Sequence, residues 1–379
     1  MSEKRAKNVT IIEVARLAGV STATAGRVLG GYGYSSDQIR NKVRQAAETL
    51  GYRPNLLARG LITGKTQTIG VVAGDLESPF YASILRGIAD VARSKGFGVV
   101  VTNSDEIFQR EREAVQLLME KQVDGLIVSP SDLESSKHLQ DAVASGCPVV
   151  LIDRRVHGLQ ADAVTVDNVQ ASKDCIKRLI ELGHRRIGII AELEQFASGD
   201  LKAFVDRESH SGIDASTLYP SGQRLLGYLQ AHRENGLPVN IELIRRVGAY
   251  SAKIAKEETR DLLRNGAPTA LFTTDGVMSS GAMDAISSLD LVLPEDLSLI
   301  CFDDLEWMSF LRPKVTAVAQ PLNEMGRAAA RLVLARIHGD DLPVEHVSLA
   351  ATLRERGSVA PPGARRTPTR KASSAGRGR

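Results

Sequence analysis

Two hydrophobic periodicities divide this chain. Over residues 10–51 apolar positions recur every three to four residues, whereas from Thr68 onward short apolar runs alternate with amphipathic stretches. In the first region Ile11, Val14, Ala15 and Ala18 fall on one helical face. Thr10 and Glu13 have the T-x-x-E spacing of a capping box, in which each side chain satisfies a backbone N–H of the first turn, so a helix is predicted from Ile11. Gly19 ends it, because a residue without Cβ takes the left-handed C-terminal position without penalty. Ser21 is placed to cap a second helix over 22–29. Ser35 and Gln38 repeat the box spacing, and Ile39, Val43, Ala46 and Leu50 share a face up to Gly51, which predicts a third helix. Two short helices joined tightly at Gly19 have the shape that projects the second into a DNA major groove. A bundle of about 50 residues lies near the lower limit for a core that folds unaided.

From Thr68 the runs TIGVVAGD, GVVVTN, GLIVSP and PVVLID are separated by predicted helices over 81–95, over 110–121 and near His138. That βα alternation means a parallel sheet covered on both faces. A second set, AVTVDN, RIGIIAE, TALFTTD and LSLICFDD, implies a second doubly wound lobe beginning at AVTVDN. Ligands of such sheets bind beyond the carboxyl ends of strands. The residues there are polar: Asp75, Asn103 and Ser129, then Asp153, Asp167, Asp275 and Asp303. Helix N-capping explains some of them, and the rest could bind hydroxyls in a cleft between lobes.

Charge separates the regions further. Residues 1–66 hold 11 Lys/Arg against 4 Asp/Glu, residues 67–360 hold 31 against 41, and residues 361–379 hold 6 basic and no acidic residues. The net +3 therefore hides a basic head on an acidic body. Because phosphate contacts dominate nucleic-acid affinity, only the head is expected to meet DNA. Lys4, Arg5 and Lys7 read either as a phosphate-seeking arm or as a solvated tail. The final stretch, PPGARRTPTRKASSAGRGR, lacks apolar periodicity and has the composition of a disordered segment.

The opening Met-Ser-Glu-Lys carries no apolar signal region, and no run reaches the roughly 20 apolar residues of a membrane helix, so the expectation is a cytoplasmic protein without membrane contact. Cys147, Cys175 and Cys301 are far apart and read as buried small hydrophobes rather than a disulfide or zinc framework. No cofactor is expected. An enzyme would need a nucleophile with its base or a metal cluster, and neither an H-x-x-H nor a G-x-S-x-G run is present. GLITGKT, from Gly60 to Thr66, has three residues between its glycines where a phosphate loop needs four. A transport solute-binding protein would share the two-lobed body but would carry a secretory signal in place of the basic helical head.

In order and spacing, TIIEVARLAGVSTATAGRVL, LGYRPNLLARGL, TIGVV, ESPF, VDGLIV, FTTDGVMSSGAMDAI, FDD and QPLNEMGRAA resemble the lactose-repressor (LacI) family of bacterial transcription regulators, from about Asn8 to Pro362. The resemblance implies an all-α helix-turn-helix headpiece on an α/β, periplasmic-binding-protein-like core of two doubly wound lobes. It implies a homodimer that binds double-stranded operator DNA, with a small sugar-like effector that alters operator affinity. The implied divisions are 1–53 for the headpiece, 54–66 for a hinge helix and linker, 67–360 for the core and 361–379 for the tail. Carried over position by position, it puts Thr22, Ala23 and Arg27 at base edges, where Arg27 can donate two hydrogen bonds to a guanine and Ala23 offers a methyl contact. Ser21 and Thr24 resemble phosphate contacts, with Thr10, Asn55 and Ala58 also on the DNA side. Leu61 matches the residue wedged into the minor groove. A hinge helix this short is marginal in water and is expected to fold on DNA. Effector positions map onto Phe80, Asp153, Arg224, Thr274, Asp275, Asp303 and Gln320, with Phe302 and Trp307 as further candidate walls.

Three departures from the family pattern stand out. Gly26 replaces the usual Ser inside the recognition helix, which either removes a phosphate contact or allows closer approach to the groove. Cys301 replaces a common Gly before FDD. Between Glu192 and Gly222 the chain is about twenty residues longer than the usual link from IGII to R-x-x-G, and the extra segment carries Phe196, Phe204 and Tyr219, able either to cover the cleft or to extend a dimer surface.

Overall fold

The computed structural model describes residues 9–30, 34–52, 65–196, 200–339 and 342–363. The headpiece forms from α1 (Ile11–Ala18), α2 (Thr22–Gly30) and α3 (Asp37–Leu50). Val14, Ala15, Ala25, Val28, Val43, Ala46 and Ala47 make its core, with Ile11, Ala18, Ile39 and Leu50 packed around them. Gly19 and Gly51 take left-handed φ values of 66° and 63° at the helix ends. The third cap differs by one residue from the expected box. Ser36, not Ser35, accepts the Ile39 N–H at 3.4 Å, so Gln38 falls too early in the helix to reciprocate.

The body is two sheets, each sandwiched by helices. In the first lobe β1 (Thr68–Ala73), β2 (Gly98–Asn103), β3 (Gly125–Val128), β4 (Val149–Ile152) and β5 (Asp162–Val166) alternate with α4 (Pro79–Ser94), α5 (Phe108–Glu120) and α6 (Lys137–Ala144). In the second, α7 (Asn168–Glu181) leads into β6 (Ile187–Ala191), α8 (Asp200–Ser211), α9 (Pro220–Glu234), β7 (Ile244–Arg246) and α10 (Ala252–Asp261). Next come β8 (Ala270–Thr273), α11 (Gly276–Ser288), β9 (Ser298–Phe302), β10 (Thr316–Ala319), α12 (Leu322–Ile337), β11 (His346–Leu349) and β12 (Thr352–Arg354). The sheet orders are β11-β5-β4-β3-β1-β2 and β12-β10-β9-β8-β6-β7. Every pairing is parallel except β10 with β12. Successive residues of each central strand feed opposite faces. Ile69 and Val71 join the layer under α4 and α12, while Val72 joins the layer under α5 and α6.

Three expectations need correction. AVTVDN does not open the second lobe: its strand, β5, pairs with β4 in the first, Leu151 opposite Ala163. Buried Asp162 fixes this by accepting from Arg336 Nε and Nη2 and from the Glu345 amide, all at 2.8 Å, which ties β5 to α12 and to the approach of β11. Burial raises the Asp162 carboxyl, but the Arg336 and amide bonds outweigh it and hold the group below its usual range. Helix α4 starts at Pro79 rather than 81, because Ser78 caps the Phe80 N–H at 3.3 Å and proline suits the first helical position. Helix α5 likewise starts at Phe108 instead of 110.

The lobes are interwoven. The chain passes from the first to the second after β5, returns after β10 so that α12 packs beside α4, and crosses again between β11 and β12. Helices α4 and α12 touch backbone to backbone. A Cβ on Gly326 would collide with the Ile84 carbonyl, and one on Gly87 with that of Asn323. Neither neighbour is a flexible side-chain end. Gly326→Ala is expected to lower stability by about 1–3 kcal/mol or more through forced separation of the helices; denaturant unfolding with an unchanged midpoint would show that the approach is not needed.

Candidate functional site

Helix α2 buries Ala25 and Val28 and leaves Thr22, Ala23 and Arg27 exposed. Positions 23 and 27 are one helical turn apart, so they share the outward face. Ser21 Oγ accepts the Thr24 N–H at 3.1 Å and exchanges a hydrogen bond with the Thr24 hydroxyl at 2.8 Å, closing the first turn as its cap. Arg27 Nη2 reaches back to Thr24 Oγ1 at 3.5 Å. The Thr24 hydroxyl therefore lies between the cap and the guanidinium. Thr10 donates its N–H and hydroxyl to Glu13 at 2.7 and 3.0 Å. Asn55, Ala58 and Leu61 lie outside the described residues, as do Lys4, Arg5, Lys7 and the tail beyond 363.

A cleft of about 360 Å³ opens between the lobes where the carboxyl ends of both sheets meet. The segments after β1 to β4 contribute Asp75, Glu106, Ser131 and Asp153, and those after β6 to β10 contribute Glu192, Tyr250, Asp275, Asp303 and Gln320. Phe80 enters from the first turn of α4 and Arg224 from α9. Six of the seven expected effector positions thus share one wall system. Thr274 does not. Its side chain is wholly buried and donates to Asp275 Oδ2 at 3.4 Å, while its carbonyl accepts Arg224 Nη1 at 2.6 Å. Phe302 and Trp307 are also absent from the wall: Phe302 is buried beneath Arg224, whose guanidinium carbon stands 3.8 Å from the ring centre, and Trp307 packs against the core under α11. Both aromatics are turned inward by strand alternation and helix packing.

Two aspartates hold strained backbone at the cleft. Asp153 and Asp303 follow β4 and β9 with φ of 72° and 68°, a left-handed conformation that side chains rarely adopt outside functional or turn positions. Asp303 accepts the Gly276 N–H at 3.2 Å and Gln320 Nε2 at 2.6 Å. Asp275 Oδ1 caps α11 through the Val277 and Met278 amides, each at 2.9 Å. Burial pushes the Asp275 carboxyl up to about 6, helped by Asp303 and Glu192 and opposed by those amides and Arg224. Asp153 is raised by burial too, against the pull of Arg154 and Arg224.

Sequence reasoning missed Arg154 and Glu106, which organise the first-lobe wall. Arg154 donates Nε to Asp153 at 3.1 Å, both Nη atoms to Glu106, and Nη1 to the Pro130 carbonyl. Tyr81 completes the network with Glu106 at 2.8 Å and Ser129 at 2.9 Å, and Gly74 is needed because a Cβ there would strike both the tyrosine and the glutamate. Part of the extra segment faces the cleft. Phe196 and Phe204 pack edge to face, 4.9 Å between centres, in the second-lobe core, while Gln195 and Tyr219 line the cleft. Tyr219 spans it, donating its hydroxyl to the Ser131 carbonyl at 3.2 Å under the Arg154 guanidinium, 5.5 Å from the ring centre. Cys147, Cys175 and Cys301 are buried with burial-raised thiols. Among the described residues no helix is long and apolar enough to cross a membrane.

Residues 10–55 match the bacterial regulatory proteins of the lacI family, and residues 176–359 match the periplasmic binding protein-like domain. Catabolite control protein A of Priestia megaterium is 33% identical over 353 residues, covering 93% of this chain and 99% of that protein. The crystal structure of the lac repressor dimer bound to operator and the anti-inducer ONPF has a TM-score of 0.77 at 25% identity, over 93% of this chain and 100% of that chain. The complex of the transcriptional regulator CelR with cellobiose has a TM-score of 0.65 at 27% identity, over the same shares. Similarity that runs through both the helical headpiece and the two-lobed body leaves one assignment: the chain belongs to the LacI family of bacterial transcriptional regulators.

Proposed function

We propose that this protein is a sequence-specific DNA-binding repressor whose operator affinity is set by a small sugar-like effector held between the lobes. The observation that carries the reading is the outward face of α2, where Thr22, Ala23 and Arg27 stand free of the core on a basic headpiece. Residues 1–53 form the headpiece in this reading, 54–66 the hinge, 67–360 the sensor and 361–379 a basic tail. Arg27 and Ala23 read bases, and Ser21, Thr24, Thr10, Asn55 and Ala58 position the chain on the backbone or hinge side. Leu61 wedges into the minor groove. Phe80, Asp153, Arg224, Asp275, Asp303 and Gln320 meet the effector, with Thr274 acting through its bond to Arg224.

The lac repressor relative supports a dimer on operator DNA, and the CelR relative supports a carbohydrate in the cleft. The relatives are regulators, which supports a binding protein of the cytoplasm and not an enzyme or a transport solute receptor. Regulation follows from a population shift: an effector with higher affinity for one lobe arrangement favours it and changes whether paired hinge segments order on DNA.

The direct experiment is binding of the purified protein to its own upstream DNA across a salt series. Specific binding is expected to weaken with log K falling by about 0.9 per neutralised phosphate per decade of salt, and equal affinity for scrambled DNA would refute operator recognition. Arg27→Ala is expected to reduce discrimination by ~1–3 kcal/mol at a single base position, read by binding-site selection. Leu61→Ala is expected to weaken operator binding while leaving effector calorimetry unchanged; loss of effector affinity instead would overturn the hinge assignment.

A further inference from the structure

The cleft is lopsided in charge. Asp75, Glu106 and Asp153 line it from the first lobe and Glu192, Glu194, Asp275 and Asp303 from the second, against the guanidiniums of Arg154 and Arg224. Arg154 is consumed by Glu106 and Asp153. Arg224 spends Nε on Asn168 and Nη1 on the Thr274 carbonyl and rests on Phe302, which leaves Nη2 for a ligand hydroxyl. The second-lobe carboxylates receive neutral donors: Glu192 from Ser221 at 2.8 Å and from the Glu194 amide at 2.6 Å, Asp303 from Gly276 and Gln320, Asp275 from backbone amides. Among the described residues, none of these four forms an ion pair with Lys or Arg.

Three further observations point to what fills the deficit. Asp153 is 8% exposed and has one carboxylate oxygen on Arg154, while the other has no donor among the described residues. Gln320 Oε1 is buried without a donor. An unfilled acceptor on the cleft wall, as at Asp153, favours a ligand that brings hydrogens to it. A shared metal ion is not the answer, since no group of three or more His, Cys, Asp or Glu among the described residues is arranged to hold one. Phe80 and the half-exposed Tyr250 offer aromatic surface in the same cavity.

We infer that the effector is a polyhydroxylated cation of monosaccharide size, an amino sugar or aminopolyol whose protonated amine pairs with the Glu192 carboxylate in the field of Asp275 and Asp303, while Arg224 and Asp153 take its hydroxyls. This rests on the reading of the cleft as the effector site and adds its charge. An anionic sugar acid or sugar phosphate would meet carboxylates that already repel one another. Burial is the main reason the Asp275 carboxyl is raised, and Asp303 and Glu192 add to it, with Tyr250 and Arg224 as the other charged and titratable groups around it. A bound ammonium lowers it again, so binding near pH 6 releases a proton and weakens as pH falls.

The test is calorimetry and thermal shift with matched sets: D-glucosamine, D-glucose, N-acetyl-D-glucosamine and D-glucuronate, the galacto counterparts, and 1-amino-1-deoxysorbitol beside sorbitol. An amine member is expected to bind at least tenfold more tightly than its neutral and N-acetylated partners, with proton release at pH 6 seen in buffers of different ionisation enthalpy. Glu192→Gln, checked for folding by circular dichroism, is expected to cut amine affinity at least tenfold and that of the N-acetyl form less than threefold. A neutral or acidic member that binds more tightly than its amine overturns the charge assignment and leaves the cleft as effector site. Failure of every amine to bind overturns the assignment as well, and if no ligand of the panel changes operator affinity the effector reading falls with it.

Discussion

The triple passage of the chain between its lobes is the constraint from which the cleft follows. Strands β5 and β11 belong to the first sheet and β10 and β12 to the second, so three connections cross the same seam. A pair of lobes joined once could separate or slide. Joined three times side by side, they keep a rotation about the seam and little else, the kind of hinge closure that loops and element ends absorb. The clamp of Arg336 and the Glu345 amide on Asp162 ties β5, α12 and the approach of β11 together at the opposite end of the first lobe from that seam.

Because both sheets point their carboxyl ends at the seam, the residues that end strands are brought together whatever their separation in sequence. Asp153 and Asp275 share a cavity for this reason, and so do Phe80 and Gln320. The same geometry accounts for the electrostatics: polar strand ends are gathered into a partly dry space, and their mutual repulsion is met by few cations. Helix packing supplies the rigid frame. Gly87 and Gly326 between α4 and α12, Gly227 against the Val169 carbonyl and Gly281 against that of Ala252 let helix pairs approach to backbone contact.

What could be read from residues alone was what depends on local order. The three headpiece helices are announced by capping pairs and apolar stripes, and the strands RIGIIAE and TALFTTD by unbroken apolar runs, so the ligand region followed from the rule about strand ends. The lobe to which AVTVDN belongs depends on pairing with β4 and on Arg336, residues distant in sequence, and periodicity carries no trace of that. The short β7, with its sequence Ile-Arg-Arg, has no apolar run, and Tyr250 beyond it was therefore invisible. Arg154 had a faint signal, a second basic residue beside Arg155 just after an apolar run ending in aspartate, but its partner Glu106 follows β2, and Tyr81, which shares that glutamate, comes from helix α4. Thr274 was placed in the right loop, but its side chain is wholly buried and its neighbour Asp275 lines the cleft.

Tyr219 carries a kinetic consequence. Its hydroxyl joins the second lobe to the Ser131 carbonyl of the first, and the Arg154 guanidinium lies over its ring, so the resting molecule is already latched across the mouth of the cavity. A ligand that passes this side of the cavity must wait for the latch to open, on the way in and on the way out alike. The inserted segment thereby slows arrival and departure alike, trading speed of response for residence time, with equilibrium affinity free to be set by the walls alone.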